Sequence, residues 1–412
     1  MTGKAVVTGL GVIAPNGVGT KEYWTALLRG HSGIRPIERF DASGYPTRLA
    51  GEVPEDAFSA ADHIPRRLLP QTDRVTRMAL AATDWAFADA AVDPADLPDF
   101  EMGVATANSA GGYEFGQREL QNLWGSGPEY VSAYQSFAWF YAVNTGQISI
   151  RNGLRGPSAA LVAEQAGGLD ALGHSRRSIR RGTALMVSGA VDSSLCPWGW
   201  IAHQSTGLLS TRPDPEGAYL PFSELASGHL PGEGGAILVL EEAGRVRDRI
   251  ARGAATQVYG EIAGYAATFD PPPDSDRPDT LRRAAELALA DAGAEPAEVD
   301  VVFADAAGNP QADEAEARAL RELFGERGVP VAAPKALTGR LGSGGAALDV
   351  ATALLSLRDQ VVPPAGPVTA AADRYGIDLV VGAPRAARLR TALVLARGHG
   401  GFNSALVLRT PA

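Results

Sequence analysis

The segment Trp85–Leu97 (WAFADAAVDPADL) returns in the second half of the chain as Leu287–Val299 (LALADAGAEPAEV), with Ala-Asp-Ala and Pro-Ala at the same offsets. Each copy reads as a helix end, an acidic proline-containing turn and then an apolar strand, EMGVATA after the first and VDVVFADA after the second. The spacing is close to half the chain, which excludes a short-period solenoid and predicts two related α/β halves. Strands that alternate with helices in both halves predict mainly parallel sheets with helices between or around them. The halves are read as 1–255 and 256–412. The stretch Asp270–Pro278 (DPPPDSDRP) reads as a surface loop and as the seam between them.

Composition excludes several function classes. A net charge of −10 opposes general nucleic-acid binding, which needs basic stripes to neutralise phosphate. One cysteine, Cys196, rules out an intrachain disulfide and a multi-cysteine metal site. The histidines at 31, 63, 174, 203, 229 and 399 form no pair at ligand spacing, so no metal is expected. The start, MTGKAVVTGLGV, runs into a strand pattern with no signal-peptide layout, and no apolar run reaches bilayer length. A soluble cytoplasmic protein is expected, with no nucleic-acid or membrane partner. Gly9-Leu10-Gly11 resembles a dinucleotide fingerprint, but Pro15-Asn16-Gly17 makes a turn where that motif needs a helix.

Chemistry is expected at Ser158–Leu172, SAALVAEQAGGLDAL. Ala159–Ala163 reads as a buried strand, and Gly167-Gly168 opens a helix through Leu169, Leu172 and Ile179. Such an elbow exposes the side chain at its tip beside free helix N–H groups and a positive dipole end. The tip here is Gln165. Its carboxamide donates and accepts hydrogen bonds but cannot attack a carbonyl. Elsewhere, Asp73–Ala91 and Gly111–Trp124 read as helices, and Phe137–Tyr141 is an aromatic cluster. Arg176, Arg177, Arg180 and Arg181 form either a docking patch for an acidic partner or a solvated face favoured by the helix dipole. Lys335–Gly345 leads into an apolar helix, Ala346–Leu357, and the chain ends in two strands joined by a glycine-rich loop.

Together the stretches VVTGLGVIAPNG, TGQISI, the elbow, PGEGGAILVLEE, KALTG and GHGGFN resemble the β-ketoacyl synthases over essentially the full length. The resemblance implies a thiolase-like fold, two related α/β halves layered α-β-α-β-α. In that family an elbow Cys takes the acyl chain, two His assist decarboxylation and condensation, and a Lys supports the second. This chain departs at each reacting position. The Cys position is Gln165, the first His position is Asp305, and the second is Arg340. Lys335 is retained, and His399 replaces the phenylalanine of the gating loop, which continues through Gly400, Gly401 and Phe402. Asp305 and Arg340 are expected to form a buried pair filling the old site.

The pattern VAEQAGG is similar to the chain length factor, or ketosynthase-β, of aromatic type II polyketide synthases. That resemblance implies no cofactor and a heterodimer with a catalytic ketosynthase-α, served by an acyl carrier protein with a phosphopantetheine-bound chain. It also implies pairing across the dimer axis at Ser158–Ala163, with the Phe137–Tyr141 cluster nearby. In such factors the positions matching Tyr113, Gly116 and Leu120 gate the far end of the tunnel. Tyr113, Gly116, Leu120 and Trp124 share one helical face, and Gly116 serves either close packing of a neighbour or the gate. A gate of glycine and leucine implies a deep tunnel and a product longer than an octaketide. Two rival readings remain: an enzyme in its own right, by Cys196 or as a malonyl-carrier-protein decarboxylase using Gln165, and a scaffold without a polyketide role.

Overall fold

The computed structural model describes residues 3–272 and 275–411. In chain order the elements that carry the architecture begin with β1 (Ala5–Ala14), α1 (Arg74–Ala90), β2 (Met102–Ala107) and α2 (Tyr113–Gly125). There follow α3 (Val143–Asn152), β3 (Ser158–Leu161), α4 (Gly167–Arg180), β4 (Leu185–Asp192), α5 (Pro197–Ser205) and β5 (Gly234–Glu242). The second half supplies β6 (Gly260–Phe269), α6 (Leu281–Ala292), β7 (Val301–Phe303), α7 (Pro310–Phe324) and β8 (Pro330–Ala332). It closes with α8 (Ser343–Asp359), β9 (Asp378–Leu379), β10 (Thr391–Gly398) and β11 (Phe402–Arg409). Among the described residues no helix is long and apolar enough to cross a membrane.

The strands run in the order β9-β8-β7-β10-β11-β6-β1-β5-β4-β2-β3. Either side of the β6–β1 joint the two halves repeat one topology. β2 is parallel to β3 and β4, and β5 is antiparallel to β4 and β1. Correspondingly, β7 is parallel to β8 and β10, and β11 is antiparallel to β10 and β6. Helices α4 and α8 touch each other and strands of both halves, forming the middle layer. α1 covers one half-sheet from outside, and α6 covers the other. The result is the layered α-β-α-β-α arrangement.

The repeat seen in sequence has a geometric counterpart. Gly9 lies so close to α1 that an added Cβ would sit 2.1 Å from Ala86 O, and Gly264 on β6 lies 2.1 Å from Ala288 O on α6 by the same measure. Asp89 accepts from Leu10 N at 2.8 Å, and Asp291 accepts from Tyr265 N at 3.0 Å. The glycines of GLG therefore serve helix–strand contact and hold no nucleotide. Both helices end on a left-handed residue, Ala91 (φ 50°) and Gly293 (φ 61°), which terminates the α conformation.

Three expectations need correction. Asp270–Pro278, of which residues 273–274 lie outside the described chain, is no seam. It follows β6 inside the second half, where Asp270 accepts from Thr280 N at 2.7 Å and Asn403 Nδ2 at 2.8 Å. The strand at the elbow is β3, Ser158–Leu161. It is half-exposed rather than buried, because it is the sheet's outer edge and only one side is paired. Of the arginine cluster, Arg176 is buried, donating to Asp291 at 2.6 Å and Ile262 O at 2.9 Å, and Arg177 lies over the Tyr265 ring. Arg176 thus ties α4 to β6 and departs from the expectation, while Arg177, Arg180 and Arg181 are exposed, as a solvated face requires.

Candidate functional site

The chain passes from β3 into α4 through a short 3-10 turn, Glu164–Ala166, with Glu164 held at φ 48°. Glycines are required here because α8 lies so close: a Cβ on Gly168 would sit 2.4 Å from Ser343 O. Ser343 Oγ donates to Glu164 O at 2.7 Å, pinning the turn to the first residue of α8. Gln165 is fully buried and does not project from the elbow, contrary to the expectation for a nucleophile position. Its carboxamide lies against the first turn of α8, where an added Cβ on Gly345 would be 3.0 Å from Oε1. Neither its oxygen nor its nitrogen has a hydrogen-bond partner among the described residues. The residue at the tip is Glu164, which sequence reasoning passed over.

Asp305 follows β7 and Arg340 precedes α8, and the two form the expected buried pair. Arg340 Nη1 and Nη2 each lie 3.1 Å from a carboxylate oxygen of Asp305, with further bonds to Asp305 O at 3.0 Å and Arg397 O at 3.1 Å. Burial alone would raise the Asp305 pKa. The charges of Arg340 and Lys335 outweigh it, and the carboxyl is held below its ordinary range. Burial likewise opposes charge on Arg340, and Asp305 overrides that to keep the guanidinium protonated. Lys335, without a histidine to support, pairs with Asp349 at 2.6 Å and donates to Ala304 O. Beneath Asp305, Glu316 accepts from Asp305 N at 2.7 Å and Ala306 N at 2.8 Å. Burial and the neighbouring Asp305 charge push the Glu316 carboxyl up to about 7. Neither Glu316 nor Asp349 carried a sequence signal, because each is defined by what it faces across the fold.

A cavity of about 830 Å³ is lined by Tyr113, Glu164, Asp305, Arg340, His399 and Gly400, among others. Gln165 and Lys335 lie outside its wall. His399 is exposed, and its N–H donates to Glu164 Oε2 at 3.0 Å, which fastens the Gly400-Gly401-Phe402 turn to the elbow. Among the described residues no group of three or more His, Cys, Asp or Glu is placed to hold a metal ion. Cys196 is buried, and burial pushes its thiol pKa up, which disfavours the thiolate.

On α2, Tyr113 is half-buried, Gly116 is buried, and Leu120 and Trp124 are exposed. The space beside Gly116 is filled. An added Cβ would lie 3.2 Å from Cζ3 of Trp198 on α5, whose ring packs 4.7 Å from that of Tyr113. Close packing thus accounts for the glycine, and the missing side chain does not by itself leave a void. Leu120, Trp139, Phe140, Tyr141, Val162, Trp198 and Ile201 all remain exposed large apolar side chains. Trp198 and Trp139 both flank Gly116, and Trp139, Phe140 and Tyr141 pack in series, so these form one exposed apolar patch of the kind that marks an interaction face.

A fold with two matching halves whose elbow glutamine and Asp–Arg pair fall on known reacting positions has recognisable relatives. The model of the beta-ketoacyl synthase N-terminal domain matches residues 3–245, and that of the C-terminal domain matches 259–369. The chain belongs to the beta-ketoacyl synthase family. It is 61% identical over 98% of both chains to the actinorhodin polyketide beta-ketoacyl synthase 2 of Streptomyces coelicolor. It is 60% identical, again over 98% of both, to the tetracenomycin polyketide synthase ketoacyl synthase beta subunit of Streptomyces glaucescens. Among solved structures, the ishigamide ketosynthase/chain length factor superposes with a TM-score of 0.88 over the whole of both chains at 28% identity. Within the beta-ketoacyl synthase family the chain groups with polyketide ketosynthase-β subunits, as the elbow glutamine led one to expect.

Proposed function

We propose that this chain is the non-elongating ketosynthase-β subunit, or chain length factor, of a type II polyketide synthase. It pairs with a catalytic ketosynthase-α in the cytoplasm and shapes the tunnel that sets poly-β-ketone length. An acyl carrier protein delivers malonyl and growing chains as phosphopantetheine thioesters. The single observation that carries this reading is the Asp305–Arg340 pair, buried and bidentate where the resemblance puts the two histidines. Arg340 cannot act as a base and Gln165 cannot form a thioester, so condensation needs a partner's cysteine. The unpaired edge of β3 and the exposed aromatics give that partner a surface. An obligate interface of this kind buries more than about 2,000 Å² and is largely apolar. We divide the chain functionally at 255/256, with Tyr113, Gly116 and Leu120 as the gate and His399–Phe402 as the retained loop.

Co-expression with ketosynthase-α subunits, followed by sizing of the complex and of its polyketide, tests the reading. A stable heterodimer whose product length follows this chain is expected. A soluble monomer at low concentration, with no effect on product length, would overturn it.

A second reading, malonyl decarboxylation during priming, is favoured by one observation. The Gln165 carboxamide is buried with both polar atoms unpaired, and such a group costs about 1–3 kcal/mol until a partner arrives. A thioester enolate is one partner it would fit if the carboxamide turned toward the cavity, whose wall it does not form here. Carbon dioxide release from malonyl-carrier protein by the isolated chain, lost in Gln165→Ala, is the outcome that supports it.

A further inference from the structure

We propose that Asp73 is a positioning residue for the chain-length gate, because its one carboxylate caps two helices and fixes where α2 stands. The inference rests on the gate reading above. Asp73 is the N-cap of α1, where Oδ1 accepts from Val75 N at 2.9 Å. Its second oxygen, Oδ2, accepts from Phe115 N at 2.7 Å, in the first turn of α2. The residue preceding α2 is Gly112, which has no side chain to cap it. Asp73 supplies that cap from another helix, so one buried anion answers two helix N-termini.

The approach is tight. An added Cβ on Gly112 would lie 2.9 Å from Asp73 Cβ and 2.2 Å from Ala138 O, so the start of α2 rests directly on the aspartate. Asp73 is buried. The bonded amide, Phe115 N, is one residue from Gly116 and two from Tyr113. Three other side-chain tethers run from α2, the first from Glu114, whose Oε2 accepts from Arg39 Nη2 at 2.5 Å. Gln117 Oε1 accepts from Trp198 N at 2.7 Å, and Glu119 Oε2 accepts from Ser132 N at 2.7 Å. The Asp73 bond runs instead to α1, which is packed on β1, β4 and β5. It ties the start of α2 to a helix seated on the sheet, beside the short link 108–112 that joins α2 to β2, where Asn108 accepts from Gly111 N and donates to Val191 O.

Serine separates the two roles. It caps a helix as well as aspartate does, so Asp73→Ser preserves the start of α1, but its shorter arm does not also reach Phe115 N. Asp73→Asn keeps the size and turns one acceptor into a donor facing an N–H. Both variants are examined in the full heterodimer, beside Gly116→Thr/Leu120→Phe, for heterodimer yield, total polyketide and product length. The expected result for Asp73→Ser is normal assembly, with products of altered length rising to on the order of a tenth of the total as one cap bond is lost. If both Asp73 variants keep the parental length distribution while the double gate variant shortens it, the Asp73 inference falls and the gate reading stands. If the double variant also changes nothing, the gate reading falls and takes this inference with it. Failure of both Asp73 variants to assemble likewise overturns it, since the carboxylate would then serve folding alone.

Discussion

Arg340 meets Asp305 with both terminal nitrogens, each 3.1 Å from a carboxylate oxygen, and both side chains are buried in the wall of the cavity. Such a pair adds little net stability, because desolvation offsets the attraction, but removing one partner strands a buried charge. Arg340→Ala is therefore expected to cost about 3–5 kcal/mol, and Asp305→Ala a similar amount. The double variant Asp305→Leu/Arg340→Met should cost much less than the sum of the single losses. Urea unfolding of the four proteins checks this; additive losses would show that the two residues do not act as a pair.

Glu316 makes stability depend on pH in a stated direction. Its carboxyl is pushed up to about 7 by burial and the adjacent Asp305 charge, from an ordinary value of 4.5. The folded chain then holds a proton that the unfolded chain releases between those values, so this group's contribution weakens as pH rises through the window. Asp192, Asp313 and Asp349, each raised to about 6 mainly by burial, act in the same sense. Asp305 acts oppositely: its depressed pKa gives stability that is lost as pH falls through its folded value. Relative to Glu316→Gln, the parent should lose on the order of 2–3 kcal/mol between pH 5 and pH 8. Equal pH dependence of the two unfolding midpoints would refute the assignment.

The isolated chain should fail to condense malonyl thioesters, and thiol reagents should leave it nearly unlabelled. Cys196 is its one thiol, buried and with its pKa raised by burial. Iodoacetamide at pH 7.5 should modify the native chain at least about tenfold more slowly than the urea-unfolded chain, since the thiolate is the reacting form. Measured condensation by the purified chain alone would defeat the non-elongating assignment.

The sequence made the duplication legible because its marks are local: a helix end, a proline turn and a strand recur within a short span. What those marks serve, the approach of Gly9 to Ala86 and of Gly264 to Ala288, is visible only once the strands are placed. The substituted reacting positions were legible through the family resemblance, and the Asp305–Arg340 pair followed because that resemblance puts two opposite charges in one site. The orientation of Gln165 did not follow, since it depends on how α8 crosses the elbow. Nor did the space at Gly116, which is taken by a tryptophan about eighty residues away in the chain. Asp73 reads in sequence only as the first residue of a helix. Its second bond, to Phe115, depends on the start of α2 standing beside the start of α1.

The gate prediction is sharpened by that tryptophan. A side chain at 116 would meet Trp198 Cζ3 at 3.2 Å and Trp139 Cβ at 3.6 Å, contacts tight enough that the indole must shift by a few tenths of an ångström. Gly116→Thr therefore moves Trp198 as well as adding its own bulk, and Leu120→Phe extends the wall one turn further along α2. We expect the parent heterodimer to make a product longer than an octaketide, and the double variant to make a shorter one while still assembling. Gly116→Ala alone should have a smaller effect, because one methyl group fits with a modest move of Trp198. Mass spectrometry of products from the three heterodimers decides the matter. A double variant that assembles, remains active and makes the parental chain length would place the end of the tunnel elsewhere.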